Sequence, residues 1–230
     1  MENVLYFIEL NDGKGKLNEY LRYIDAISLE RKMEISKFKC EMDGKLNLFS
    51  HLLVRYLACT VLGLNNVELS FEKNIYGKPY LTGFPSFNYN ISHTRNAIAL
   101  GISDKPIGID IEKIRVIDYK IADRFFCKNE LEYILSNIEN QESLFFEIWT
   151  KKEAYIKWMG KGLSIPLTSF DVTSVEMEKR LSLFRLGDYI ISVCCENNFH
   201  NAGFVMLKEN QVCQIFTEFL KSGSFSLCST

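Results

Sequence analysis

An α+β fold made of two similar halves is what these 230 residues predict, each half a small, mostly antiparallel sheet packed on one long helix. Three observations lead there. Apolar residues make up 47% of the chain and aromatics 13%, enough to fill a sizeable interior. Short β-rich segments bounded by Gly, Pro, Asn or Asp alternate with longer stretches of helical period. A long helical pattern that ends in glycine and runs into strands occurs twice, through "HLLVRYLACTVLGL" and again through "IWTKKEAYIKWMGKGL". The expected halves are residues 1–105 and 106–230.

In chain order, "NVLYFIEL" reads as a strand, and "KLNEYLRYIDAI" and "SLERKMEISKF" read as helices, the second with Ser28 at its N-cap. A long helix is predicted from Asn47 to Leu62, because Leu48, Leu52, Tyr56, Cys59 and Leu62 share one stripe and Gly63 can close it. A strand in "VELSFEK", a turn in "NIYGKPYL" and strands in "FNYNIS", "AIALGIS" and "IGIDIE" follow. Helical segments then span residues 118–137, and a second long helix runs from Glu142 to Met159, stopped by Gly160 and Gly162. Strands in "SFDVTS", "RLSLFRL", "YIISVCCE" and "AGFVMLK" end the chain, with "LGD" as a hairpin turn.

Composition excludes several classes of function. A formal charge of −2 supplies no basic field for nucleic acid or an anionic membrane, so anion recognition must rest on local clusters. Seven cysteines, at 40, 59, 127, 194, 195, 213 and 228, make no C-x-x-C pair and read as reduced thiols of a cytoplasmic protein. "MENVLYFIEL" has an acid at position 2 and no basic leader region, while the apolar run around Arg55 is too short to span a bilayer. No export or membrane signal is expected.

Chemistry begins with "IGIDIE". If it is extended, Ile107, Ile109 and Ile111 face one way and Gly108, Asp110 and Glu112 the other, leaving two carboxylates as neighbours. A solvated sheet face with Lys105, Lys113 and Arg115 as counter-ions is the plain reading; a hard divalent cation between the acids is the sharper one. Glu153 offers a third acid, since Trp149, Glu153 and Lys157 recur every four residues on one helix face, with Lys152 flanking them. Ordinary surface pairing explains that spacing too, but "MGKGL" with Lys161 would let backbone approach an anion. His93 beside Ser92, and Lys78 in the "YGKPY" turn, are weaker signals by themselves.

"ISH" (91–93), "GIDIE" (108–112) and "WTKKEAYIKWMGKGL" (149–163), with "YGKPY" and "RFFCKNE" (124–130), together resemble the 4′-phosphopantetheinyl transferases of the long, surfactin-synthetase-activating type. The resemblance covers most of residues 28–172. It implies a monomer of two α+β halves related by pseudo-twofold symmetry, with coenzyme A in the cleft between them. The implied reaction transfers the phosphopantetheine arm of coenzyme A to a serine of an apo carrier protein. By the same resemblance, Asp110, Glu112 and Glu153 would hold Mg²⁺, with Mn²⁺ as the alternative ion. Lys157 and Lys152 would bind phosphate oxygens, Ser92 and His93 would contact the phosphates of coenzyme A, and Lys78, Pro79 and Lys161 would lie by its adenine and phosphate. Arg31 is the expected 3′-phosphate residue. The general base is Glu153, directly or through a metal-held water, or else Glu130, whose other reading is a helix N-terminal acid favoured by the dipole. Carrier docking is expected on residues 113–128, where Lys113, Arg115, Lys120, Arg124 and Lys128 stand beside Ile114, Ile117, Ile121 and Phe125. A Mg²⁺-dependent nucleotide phosphohydrolase and a silent binder of coenzyme A or carrier remain as alternatives.

Overall fold

The computed structural model describes residues 2–11, 16–196, 199 and 202–221; Cys228 lies outside them. Strand β1 (Val4–Glu9) buries Leu5, Phe7 and Ile8. The segment after it is helical as expected but takes the tighter 3-10 form over Leu17–Ala26. Helix α1 (Leu29–Ile35) starts at Ser28, whose backbone is extended and whose hydroxyl makes no capping bond. Helix α2 (Glu41–Leu62) begins ahead of the predicted Asn47, with Glu41 and Asp43 in its first turn, where the helix dipole favours acids. It closes at Gly63, whose φ of 67° is the left-handed conformation a C-cap requires.

"VELSFEK" yields only β2 (Phe71–Lys73), because the Glu68 carboxylate accepts from the Asn65 amide and side chain and coils Asn66–Glu68 into a 3-10 turn. Strand β3 (Pro79–Leu81) pairs antiparallel with β2 as a separate hairpin. β4 (Asn88–Thr94), β5 (Ala97–Ser103) and β6 (Ile107–Lys113) follow as predicted. Two short helices, α3 (Ala122–Phe125) and α4 (Lys128–Leu135), lead into α5 (Gln141–Met159), which ends on the left-handed Gly160 at φ 63°.

"SFDVTS" is not a strand. The Asp171 carboxylate accepts from the Thr173 amide and hydroxyl and from Asn129, folding the segment into a turn before α6 (Val175–Glu178). Strands β7 (Leu181–Leu186), β8 (Tyr189–Cys195) and β9 (Gly203–Lys208) were legible, but helix α7 (Glu209–Lys221) was not. It buries Val212 and Phe216 against α2 and β1 residues.

Besides the two-stranded β2-β3 sheet, the described strands form two larger sheets, ordered β4-β5-β1-β9 and β6-β8-β7, antiparallel except for the parallel pair of β1 and β9. Their inner faces meet: Leu5, Phe7, Ala97 and Ala99 pack on Ile107, Ile109, Ile111, Ile191 and Val193. α2 covers the outer face of the first sheet through Leu48, Leu52 and Leu53 against Ile98 and Leu100. α5 covers the second through Phe146, Ile148 and Ala154 against Ile190 and Cys194. Each half thus sets a sheet on one long helix. Residues 203–221, expected in the second half, return to the first, where β9 and α7 complete its sheet and core. The edge strands β4 and β6 touch where the Ile109 amide donates to Asn90 Oδ1 at 2.7 Å.

Candidate active site

Alternation along β6 sends its isoleucines into the core between the sheets and turns Gly108, Asp110 and Glu112 toward α5. Gly108 is what allows the approach: a Cβ there would sit 2.1 Å from the Ala154 carbonyl oxygen and 2.2 Å from the Trp158 amide. Lys157 therefore reaches Asp110 on β6, and Glu153, one turn before it on α5, is electrostatically coupled to Asp110 and Glu112.

Asp110 is buried, and its Oδ1 accepts from Lys157 Nζ at 2.7 Å and from Ser92 Oγ at 2.8 Å. Lys157 also donates to Ser92 Oγ at 3.0 Å. The other oxygen, Oδ2, is buried with no hydrogen-bond partner. Burial pushes the Asp110 carboxyl above the usual carboxylate range, with Lys157 pulling it back. Glu112 Oε2 accepts from Thr94 Oγ1 at 3.0 Å and Arg115 at 2.8 Å. The Glu153 carboxyl is pushed up by burial first and by the Asp110 charge second, with Lys157 opposing and Glu112 adding. Three carboxylates that feel one another, one carrying a buried oxygen without a donor, are an all-oxygen set that fits a hard divalent cation.

Tyr89, three residues before Ser92 on β4, borders a cavity of about 480 Å³ lined also by Glu30, Arg31, His51, Arg55, Glu72, Lys73 and Pro79. His51 is held neutral, its imidazole lowered to about 3 by burial and then by Arg31, Arg55 and Lys73. His93 connects the two regions. Its imidazole is lowered by desolvation first and by Lys157 second, and it interacts with Asp43 and Asp110 as well as with His51. Arg31 borders the cavity while ion-paired to Glu34. His51 and Arg55, which line the cavity, were not singled out from the sequence. The signal was present, because Asp43, Asn47, His51 and Arg55 recur every four residues along a helix that is otherwise mostly apolar. Asn47 Oδ1 is buried there without a partner.

Lys152 and Glu130 must be corrected. Neither side chain is exposed (0% each), and they pair with each other at 2.8 Å. Lys152 also donates to the carbonyls of Leu167 (2.7 Å) and Phe170 (2.8 Å), while Glu130 accepts from the amides of Cys127 (2.8 Å) and Val172 (2.9 Å). Lys152 is thus no phosphate ligand and Glu130 no general base. Cys127, Glu130 and Asp171 cluster closely enough to suggest a metal, but the ammonium of Lys152 already occupies the Glu130 carboxylate. Lys78 also departs from expectation: its ammonium turns inward to the carbonyls of Ile107 (2.9 Å) and Trp158 (3.3 Å), and burial lowers it to about 8. Lys161 is exposed on the turn after α5, and no described contact joins it to the acids.

Fold and cleft define an α+β enzyme of phosphate chemistry, with acids and a lysine on one side and a cavity bearing Arg31, Arg55 and Lys73 on the other. A family model described as "4′-phosphopantetheinyl transferase superfamily" matches residues 106–214, and one described as "4′-phosphopantetheinyl transferase, N-terminal" matches 14–104. Among curated relatives, the chain is 37% identical to 4′-phosphopantetheinyl transferase psf-1 of Bacillus pumilus over 77% of this chain and 76% of that one. It is 38% identical to 4′-phosphopantetheinyl transferase gsp of Aneurinibacillus migulanus over 73% of this chain, and it spans 64% of that relative's length. Against 4′-phosphopantetheinyl transferase Sfp of Bacillus subtilis (strain 168) the identity is 36% over 66% of this chain and 68% of that one. The chain belongs to the 4′-phosphopantetheinyl transferase family.

Proposed function

We propose that this protein transfers the 4′-phosphopantetheine group of coenzyme A to a serine hydroxyl of an apo acyl or peptidyl carrier protein, releasing 3′,5′-adenosine bisphosphate. The observation that carries the reading is the contact of Lys157 with Asp110, with Glu112 and Glu153 electrostatically coupled to the same pair, near a cavity bordered by Arg31, Arg55 and Lys73. The nucleotide end of coenzyme A fits that cavity, with Arg31, His51, Lys73 and Pro79 around it. Its pyrophosphate then reaches His93, Ser92 and Lys157.

A divalent cation, Mg²⁺ or equally Mn²⁺ by donor type, held by Asp110, Glu112 and Glu153 supplies charge neutralisation at the pyrophosphate when bound. The chain's own groups do the rest. Attack of the serine oxygen on the β-phosphorus breaks its bond to the bridging oxygen, and the departing bisphosphate carries away the bonding pair. Lys157, oriented by Asp110 and Ser92, faces the oxygens on which that charge collects. Glu153 accepts the serine proton, as its raised carboxyl and lack of a hydrogen-bond donor among the described residues favour.

The functional division falls between residues 105 and 106, since every residue lining the cavity precedes it and all three acids follow it. The carrier docks on residues 113–128. Lys120, Arg124 and Lys128 are exposed there, Ile121 and Phe125 stand 42% and 36% exposed, and a groove of about 380 Å³ runs from Ile117 to Leu135. The protein works as a monomer. No described helix is long and apolar enough to cross a membrane, and the six described cysteines are free, which supports a reducing, cytoplasmic setting.

The test is one incubation with coenzyme A, Mg²⁺ and apo carrier, followed by intact mass. The carrier is expected to gain one phosphopantetheine arm. Cleavage of coenzyme A without that gain would mark a phosphohydrolase, and binding without cleavage a silent homologue; either overturns the proposal. Phe125→Glu is expected to raise KM for the carrier on the order of tenfold and leave KM for coenzyme A unchanged. An unchanged carrier KM would move the docking surface elsewhere.

A further inference from the structure

The hairpin of β2 and β3 grips the far end of the catalytic helix, and its grip is assigned no part in the chemistry above. Its turn is built on Asn74, whose Oδ1 accepts from the amides of Tyr76 and Lys78 at 2.9 Å each and whose own amide donates to the Lys78 carbonyl at 2.9 Å. The turn therefore fixes where Lys78 starts. Two side chains leave it for α5. Asn74 Nδ2 donates to the Gly160 carbonyl at 2.9 Å, and Lys78 Nζ donates to the Trp158 carbonyl at 3.3 Å. These carbonyls belong to the last turn and cap of the helix, where acceptors lack intrahelical partners and the dipole favours a cation. The third contact matters most: the same ammonium donates to the Ile107 carbonyl at 2.9 Å, at the first residue of β6. One nitrogen thus ties α5 to β6 at the end where Gly108 brings them together, and Lys78 Cδ lies 3.0 Å from where a Gly160 Cβ would be.

These are the two elements that carry the acids. Asp110 and Glu112 lie three and five residues beyond Ile107, and Glu153 lies five residues before Trp158. Asp110 to Lys157 is the only ion pair that joins β6 to α5 among the described residues, and the hairpin's grip adds a second polar tie beside the Gly108 contact.

We propose that Lys78 is a positioning residue of the transfer reaction, its ammonium setting the separation of β6 from α5 and with it the distance of Asp110 and Glu112 from Glu153. The proposal rests on the transferase reading given above. It replaces the place by the adenine and phosphate of coenzyme A expected from the sequence, for the ammonium turns inward and spends two of its three donors on backbone carbonyls where β6 meets α5.

The experiment compares full-length wild type with Lys78→Met, Lys78→Arg and Asn74→Ala. Transfer kinetics are read at varied coenzyme A and Mg²⁺, and Mn²⁺ affinity is read from loss of the free-ion EPR signal with coenzyme A present. Loss of a group that orients metal ligands costs about 10–100-fold in affinity or activity. Lys78→Met is therefore expected to lower kcat and weaken Mn²⁺ binding by roughly tenfold, with KM for coenzyme A within about twofold. Lys78→Arg should recover most of both, and Asn74→Ala should show the same pattern more weakly. A rise in KM for coenzyme A with kcat intact would make Lys78 a phosphate ligand and overturn the proposal. Unchanged Mn²⁺ affinity in a folded Lys78→Met protein would overturn it as well. The EPR titration needs no turnover, so absence of transfer by the wild type would refute the transferase reading while positioning is judged separately. If Lys78→Met fails to fold, Asn74→Ala carries the test, and wild-type Mn²⁺ affinity in it would sink the idea.

Discussion

Lys152→Met is a perturbation for which a catalytic and a structural role predict opposite results. Lys152 spends its ammonium on three acceptors, Glu130 and the carbonyls of Leu167 and Phe170, at 2.7–2.8 Å, and sits 4.3 Å from the Phe170 ring centroid. Glu130 is equally enclosed, with two backbone amides besides the lysine. Removing the ammonium strands a buried carboxylate and two buried carbonyls, and breaking one side of such a pair costs about 3–5 kcal/mol. For a chain of this size that corresponds to a fall in Tm of roughly 10 °C. Urea unfolding gives the magnitude directly. Pairing Lys152→Met with Glu130→Gln should return part of the loss, since the stranded charge is then gone. Transfer at low temperature, per folded molecule, should stay within about twofold of wild type, since neither group faces the cleft. A loss below about 1 kcal/mol together with a collapse in turnover would refute the structural role and restore Lys152 as a phosphate-binding group.

Asp110→Asn should abolish transfer by a factor on the order of 10² or more, with weaker Mn²⁺ binding and no loss of fold, because a buried, partly unsatisfied charge is removed; rapid-quench assays and urea midpoints decide it. His51 makes a pH prediction. Its folded pKa of about 3 lies below the ordinary imidazole value of 6.5, so the unfolded chain binds the extra proton and stability falls as pH drops below about 6.5. The slope from this one group approaches about 1.4 kcal/mol per pH unit, and His51→Gln should flatten that limb of a urea-midpoint series. Gly108→Ala drives a methyl into the backbone of α5 and should cost about 1–3 kcal/mol, with a larger fractional loss of turnover than of folded protein.

Much of this was legible in the sequence, and the exceptions share a cause. The alternation of "IGIDIE" depends only on the two-residue period of a strand, and it placed Asp110 and Glu112 on the face toward α5 as expected. The four-residue spacing of Glu153 and Lys157 likewise follows from helix geometry. Lys152 was misread because a motif says which residue types are present, whereas only packing says which way a lysine beside Glu153 must turn. Lys78 was misread for the same reason: its partners are carbonyls from residues 107 and 158, which no local pattern connects. "SFDVTS" lost to side-chain competition, since one aspartate collecting three hydrogen bonds outweighs the strand preference of its neighbours.

The return of β9 and α7 to the first half bears on how the protein is made. Glu209 opens α7 and is buried; its carboxylate accepts from the Asn11 amide, the Tyr20 hydroxyl and Lys45 Nζ. All three donors leave the ribosome long before their acceptor does. Until residue 209 emerges, β1 lacks its parallel neighbour and Lys45 lacks this counter-ion at the place where α2 would bury it. The first half therefore cannot complete its sheet and core until β9 and α7 have been made, and Glu209 then ties α7 to Asn11, Tyr20 and Lys45 near the start of the fold.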